Sequence, residues 1–266
     1  MKKFTKITLI LSVMCLVLGM SLIIGTGMFG DLYYSKIDLD SEPNGVSMRD
    51  IRLVGNDIRE LDITVTAAVL EVVIDDTIDE ITVQGGSGLL DVNHSVEKDT
   101  LHLEIKAKDQ YKVLGDFGDE ALILRIPAAL WLQELDINLN AAELNAERLE
   151  AEEISLNLNA ARAEIYDVES GALDVENHAS SFWMYGAVAR EIEVDCNAGN
   201  VEMELNNAYT EFNYEVDCKV GKIHIGDQEY SGLKSAVTLQ NDNAKKYMDL
   251  DCSAGEIAVR FIEKGE

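Results

Sequence analysis

The 266-residue chain is poor in proline, cysteine, histidine and positive charge. Two prolines beside 19 glycines exclude collagen-like and proline-rich extended architectures. Basic residues number 22 against 49 acidic ones, and Lys2, Lys3 and Lys6 stand at the extreme amino terminus. From Asp31 onward 19 basic residues face 49 acidic ones, a formal charge of −30. Such a field repels nucleic acid and anionic membrane, and attracts cations and basic partners. Catalytic signatures are missing too. No G-x-S-x-G, H-E-x-x-H, Walker loop or C-x-x-C occurs, and the four histidines lack metal-ligand spacing. Even so, 47% of the residues are hydrophobic, which excludes compositional disorder.

What is present begins with an address. Ile7 to Phe29 carries no charge, and as a helix it spans roughly 34 Å, enough to cross a bilayer. Lysines before it and acids after it orient the amino terminus to the cytoplasm and the bulk of the chain outside. A cleaved signal peptide is the rival reading, but no A-x-A site follows, and Met14 before Cys15 does not suit a lipoprotein signal. The expected organisation is a cytoplasmic terminus at 1–6, a transmembrane anchor at 7–29, a juxtamembrane segment at 30–56 and an ectodomain at 57–266.

The ectodomain is organised around a 19-residue repeat. Units open LDINLNAA at Leu135, ISLNLNAA at Ile154, LDVENHAS at Leu173 and IEVDCNAG at Ile192. A fixed period with two-residue alternation inside each unit marks a solenoid. The signature also appears at Leu61, Tyr214 and Met248, the last two after intervals of 22 and 34 residues that imply corner insertions. The stretch Ala141 to Glu153 is rich in helix formers, yet propensity is a weak prior and the alternation of Leu135, Ile137 and Leu139 favours sheet. The fold expected is all-β: a single-stranded, parallel β-helix-like solenoid behind one N-terminal transmembrane helix.

Laying the coils in register separates an inside from an outside. Leu135, Ile154, Leu173 and Ile192 form one inward ladder, and Cys196, Cys218 and Cys252 share the column of Leu139 and Leu158. Buried thiols there act as small hydrophobes. Outward, position two reads Asp174, Glu193, Glu215, Asp249, and position four reads Glu176, Asp195, Asp217, Asp251. Stacked about 4.8 Å apart, these carboxylates repel one another unless a divalent cation such as Ca²⁺ or a basic partner compensates. A merely solvated face is the alternative. No cofactor is expected beyond that Ca²⁺. Tyr166 and Tyr185 share another outward column, with Trp183 beside them and His224 further along, a candidate surface for a sugar ring or protein partner. Ordinary packing on the sheet surface is the alternative there.

The run IRELDITVTAAVLEVVI (58–74), the strand DTLHLEIK (99–106), LRIPAALWLQELDI (124–137) and the repeats ending NAGN and SAGE together resemble a family of bacterial envelope proteins described as "putative adhesins". The resemblance covers about 58–261. It implies a β-solenoid, often behind a single membrane anchor, and no established enzymatic activity. Ala141-Ala142 and Ala160-Ala161 depart from the family's small-Gly corners. The function expected is a non-catalytic, membrane-tethered extracellular module, adhesin-like or scaffolding, whose partners are an envelope polymer or another membrane protein. Two other readings stand beside it: an accessory sensor of envelope stress relaying through a membrane partner, and a polysaccharide-acting enzyme using paired acids.

Overall fold

Period-two alternation is realised as strand throughout the computed structural model, which describes residues 51–53, 58–85, 90–108, 121–231 and 235–262. The expected cytoplasmic terminus, the anchor and most of the juxtamembrane segment lie outside the described residues. The first part of the fold comprises β1 (Ile51–Leu53), β2 (Glu60–Thr66), β3 (Val69–Asp75), β4 (Ile81–Gly85), β5 (Leu90–Glu97) and β6 (Thr100–Ala107). The regular coils comprise β7 (Leu122–Pro127), β8 (Leu132–Asn140), β9 (Glu143–Ala146), β10 (Leu149–Asn159) and the long β11 (Arg162–Leu205). The last part comprises β12 (Phe212–Cys218), β13 (Lys222–Ile225), β14 (Gln228–Ser231), β15 (Ser235–Leu239) and β16 (Lys246–Phe261). Among the described residues the helical content is one 3-10 turn, Tyr209–Glu211. β1 falls inside the expected juxtamembrane segment and pairs antiparallel with β4, so the sheet starts earlier than the repeat signature does.

These strands curl into stacked coils. β8 pairs in parallel with β10, and β10 with β11, each in a 19-residue register that sets Leu135 on Ile154 and Ile154 on Leu173. Contacts of the same spacing inside β11, such as Asn197 Nδ2 to His178 Nδ1 at 2.9 Å, show that β11 itself winds through successive coils. The helix-forming stretch is strand because Leu144, Ala146, Leu149 and Ala151 all point inward and are buried. A single coil could not bury such a row, whereas stacking builds one continuous core. Full burial of a leucine contributes roughly 2–3 kcal/mol. On a second face of each coil the buried column runs Leu122, Leu70, Leu144, Ala163, and further along Val201, Ile257, Ile223.

Stacking order departs from chain order at both ends. β2 lies between β6 and β8, so Leu61 sits between Leu101 and Leu135. Likewise β16 lies between β11 and β12, placing Met248 between Ile192 and Tyr214. The reason is the outer edge of each end coil. β5 pairs antiparallel with β6, and β15 antiparallel with β12. An edge occupied by an antiparallel strand does not receive the next parallel coil, so β6 and β12 are the last parallel strands of this face and the chain returns to fill the place beneath them.

The corner after the first face is turned by a left-handed residue. Ala67, Ala141, Ala160 and Ala179 have φ of 54°, 47°, 49° and 58°. This conformation aims the alanine N–H along the stack: Ala67 donates to Asn140 O at 3.0 Å, Ala141 to Asn159 O at 2.9 Å and Ala160 to His178 O at 3.0 Å. Further along, Ala198 and Ala254 keep the alanine column and glycine follows each, Gly199 with φ of 108°. A Cβ on Gly255 would stand 2.6 Å from Gly199 O and 2.7 Å from Cys196 Sγ, so that column requires the bare backbone.

Candidate functional site: an acidic face and an aromatic patch

The outer side of the first face carries the predicted acids, in a corrected order. Position two runs Asp174, Glu193, Asp249, Glu215, because Glu193 pairs with Asp249 and Asp249 with Glu215. Position four runs Glu176, Asp195, Asp251, Asp217 in the same way. The rows also extend in the opposite direction, to Asp136 and Asp62 in the position-two column. A third acidic column adds Glu60, Glu134 and Glu153. Sequence reading missed this extension, although the position-two column read two coils earlier, past Ser155, would have found Asp136.

Electrostatic strain is visible along position two. The carboxyls of Asp174, Glu193 and Asp249 are raised above their ordinary values, first by desolvation against the sheet and then by neighbouring carboxylates. Asp136 and Glu134 are raised by the same desolvation. Position four is better compensated. Lys219 Nζ lies 3.1 Å from Asp251, and Asn157 Nδ2 donates to Glu176 Oε2 at 2.9 Å. Glu215 accepts the Tyr247 hydroxyl at 2.6 Å, which pushes the phenol up to about 12. Asp136, Asn138, Ser155, Asn157, Asp174 and Glu176 surround a recess of about 210 Å³. Among the described residues no three carboxylate, imidazole or thiol groups converge as a metal-binding cluster. The rows therefore present carboxylates side by side along a face rather than around a point.

The aromatic residues are brought together in part. Tyr166 and Trp183 have ring centroids 5.2 Å apart, tilted by 56°. Tyr166 is 54% exposed and donates its hydroxyl to Glu164 Oε2 at 3.1 Å. Tyr185 is half-buried and donates to Asn206 Oδ1 at 2.9 Å. His224 stands apart from the patch. It pairs with Ala258, and Ala258 with Glu202, which places it beyond the glutamate that follows Trp183 in the column. Its Nε2 lies 3.5 Å from Glu256 Oε1. Trp131, 53% exposed at the corner before β8, is a surface aromatic that the repeat alignment did not bring forward.

Inside, Cys196, Cys252 and Cys218 are stacked in that order, fully buried and unoxidised. Burial, with Cys252 adjacent, pushes the Cys196 thiol up to about 11, which makes it a poor nucleophile. Asn177 occupies the same inward column and is fully buried, with its Oδ1 unpaired. At the other end of the stack, His102 Nδ1 lies 3.0 Å from Asp62 Oδ2, and Ser95 is opposite His102 across β5 and β6.

Fold and surface together define a capped, all-β coiled sheet with one strongly acidic outer face. The chain belongs to the family described as Toastrack DUF4097, whose family model matches residues 40–260. It is similar to a solved structure from Clostridium sporogenes named a "putative cell adhesion protein", at 11% identity and a TM-score of 0.45, covering 82% of this chain and 100% of that one. It is also similar to a "putative adhesin" from Bacteroides fragilis, at 11% identity and a TM-score of 0.47, covering 82% and 98% respectively. No curated protein matches the chain.

Proposed function

We propose that this protein is a non-catalytic binding module, adhesin-like or envelope-organising, tethered by its N-terminal apolar run and displayed outside the cell. The observation that carries the reading is the acidic face. Carboxylates in register along a parallel sheet repel one another, and Asp174, Glu193 and Asp249 hold their protons above the ordinary range, first because the sheet desolvates them and then because of that repulsion. A structure maintained against that repulsion favours a compensating ligand. Hard divalent cations and lysine- or arginine-rich segments both satisfy rows of carboxylate oxygens. The uncharged stretch from Ile7 to Phe29 behind three lysines supports the tether and its orientation.

The test is capture of envelope components by the full chain, with and without millimolar Ca²⁺, beside a variant carrying Asp174→Asn, Glu193→Gln and Asp249→Asn. Capture of a defined polymer or membrane protein by the parent, lost in the variant, supports the module. Equal capture by parent and variant removes the acidic face from the reading. Fractionation of the full chain with the membrane tests the tether separately.

A further inference from the structure

A second concavity lies away from the acidic face, where the chain abandons the regular coil. Beyond Val188 the third side of the coil is continued by a side chain instead of a strand: Asn207 donates from Nδ2 to Val188 O at 3.1 Å and accepts the Val188 N–H on Oδ1 at 3.0 Å. The chain then leaves through the 3-10 turn at Tyr209–Glu211. Two coils further, β13 reverses at Gly226, whose φ is 55°, and returns as β14. The opened flank is sealed by rings. Tyr209 stacks on Tyr214 with centroids 5.0 Å apart, and meets Phe261 edge-on at 5.7 Å.

What is left is a cleft of about 700 Å³ between the 206–211 segment, the β13–β14 turn and the end of β16, a size typical of small-ligand sites. Its walls combine the rings of Tyr209 and Phe261 with Asn206, Glu211, Asp227 and Gln228. Glu211 is already engaged by Lys246 Nζ at 2.5 Å. Asp227 and Gln228 are exposed, and among the described residues no lysine or arginine lines the space. Aromatic surface suits the C–H faces of a pyranose ring, while side-chain amides and a carboxylate suit its hydroxyls. With Glu211 neutralised by Lys246, the charge left over is that of Asp227, which opposes phosphate, sulfate or sialic acid.

We propose that this cleft binds a neutral pyranose unit of a glycan chain, with the Tyr209 and Phe261 rings as the platform and Asp227, Gln228 and Asn206 as hydroxyl partners. The inference deepens the binding-module reading by naming a ligand class, but it uses a different surface from the acidic rows. Saturation-transfer NMR on the full chain in a sugar-free detergent tests it, with chitotetraose, cellotetraose and maltotetraose as neutral probes and sialyllactose as the anionic control. Saturation of at least one neutral tetrasaccharide but not of sialyllactose is expected. Binding should weaken about tenfold in the variant carrying Asp227→Ala and Gln228→Ala, the loss of one or two net hydrogen bonds. Both positions lie at an exposed turn, and retained parental melting shows that the variant is folded. Absence of transfer to every neutral probe, equal transfer to sialyllactose, or unchanged affinity in the folded variant each overturns the assignment. The acidic-face variant should bind the saccharide normally, so failure of the cleft and failure of the acidic face read out separately.

Discussion

The left-handed alanines give the sharpest test of how the coils are built. At Ala141, Ala160 and Ala179 the backbone adopts φ between 47° and 58°, and each methyl is exposed. A non-glycine residue in this region costs about 1–2 kcal/mol. Glycine removes that cost but brings about 0.5–1 kcal/mol of additional chain entropy to the unfolded state. Replacing one alanine by glycine should therefore stabilise by about 0.5–1 kcal/mol, with no packing lost. The triple variant Ala141→Gly, Ala160→Gly, Ala179→Gly should gain about 2 kcal/mol, discounted for coupling between adjacent corners. For a body of this size that is a rise in Tm of about 4–8 °C. The assay is thermal melting by circular dichroism, paired with urea unfolding to check that the m-value is unchanged. Ala67→Gly is the internal control, because Ala67 has the same φ but is buried, so the lost methyl contact should erase the gain. A triple variant that melts at or below the parent would refute the reasoning.

Protonation should act opposite to ordinary acid denaturation over part of its range. Glu134, Asp136, Asp174, Glu193 and Asp249 are raised above 4.5 or 3.8, so the native state takes up protons before the unfolded chain does and stability grows as pH falls through their folded values. Asp75, Glu164 and Glu211 are lowered by hydrogen bonds, led by Thr77, Arg162 and Lys246 respectively, and lose their contributions only at more acid pH, below those ordinary values. Urea midpoints should thus rise as pH falls from 7.5 toward the ordinary carboxylate range and fall again by pH 3, with a smaller first step in Asp174→Asn/Asp249→Asn; a midpoint that only falls as pH is lowered contradicts this. Gly255→Ala forces a Cβ against Gly199 O and Cys196 Sγ, and should cost about 1–3 kcal/mol or more in urea unfolding. Asn177→Leu should stabilise by about 1 kcal/mol, since it removes a buried unpaired Oδ1 from a column otherwise filled by aliphatic residues and cysteine. A lower midpoint would mean that the Nδ2 contact to Ser180 O matters more than the orphaned oxygen.

The inner columns were legible because two independent periods coincide in them. Ile154 and Leu156 alternate along a strand, and each recurs 19 residues away with another buried residue. The three thiols were placed by the same logic. Coil order was not legible, because it is decided by β5 and β15, whose own residues carry no repeat and whose antiparallel direction has no signature at a distance. The corners were hidden for another reason: an Ala-Ala pair gives no hint of a left-handed turn, and only the amide of Ala160 reaching His178 O reveals why one is used. Of the surface features, the acidic rows followed from the columns. The cleft did not, because Asn206, Asp227 and Phe261 meet only where the coil pattern lapses.

The antiparallel strands at the two ends have a consequence for length. Because β5 and β15 close the stack independently of what lies between, the number of middle coils is not dictated by the caps. A further 19-residue unit inserted between Asn159 and Arg162 would lengthen the body by about 4.8 Å and leave both ends untouched. The repeat thus behaves as a graduated rule: each added mark extends the reach of the outer face by one rung.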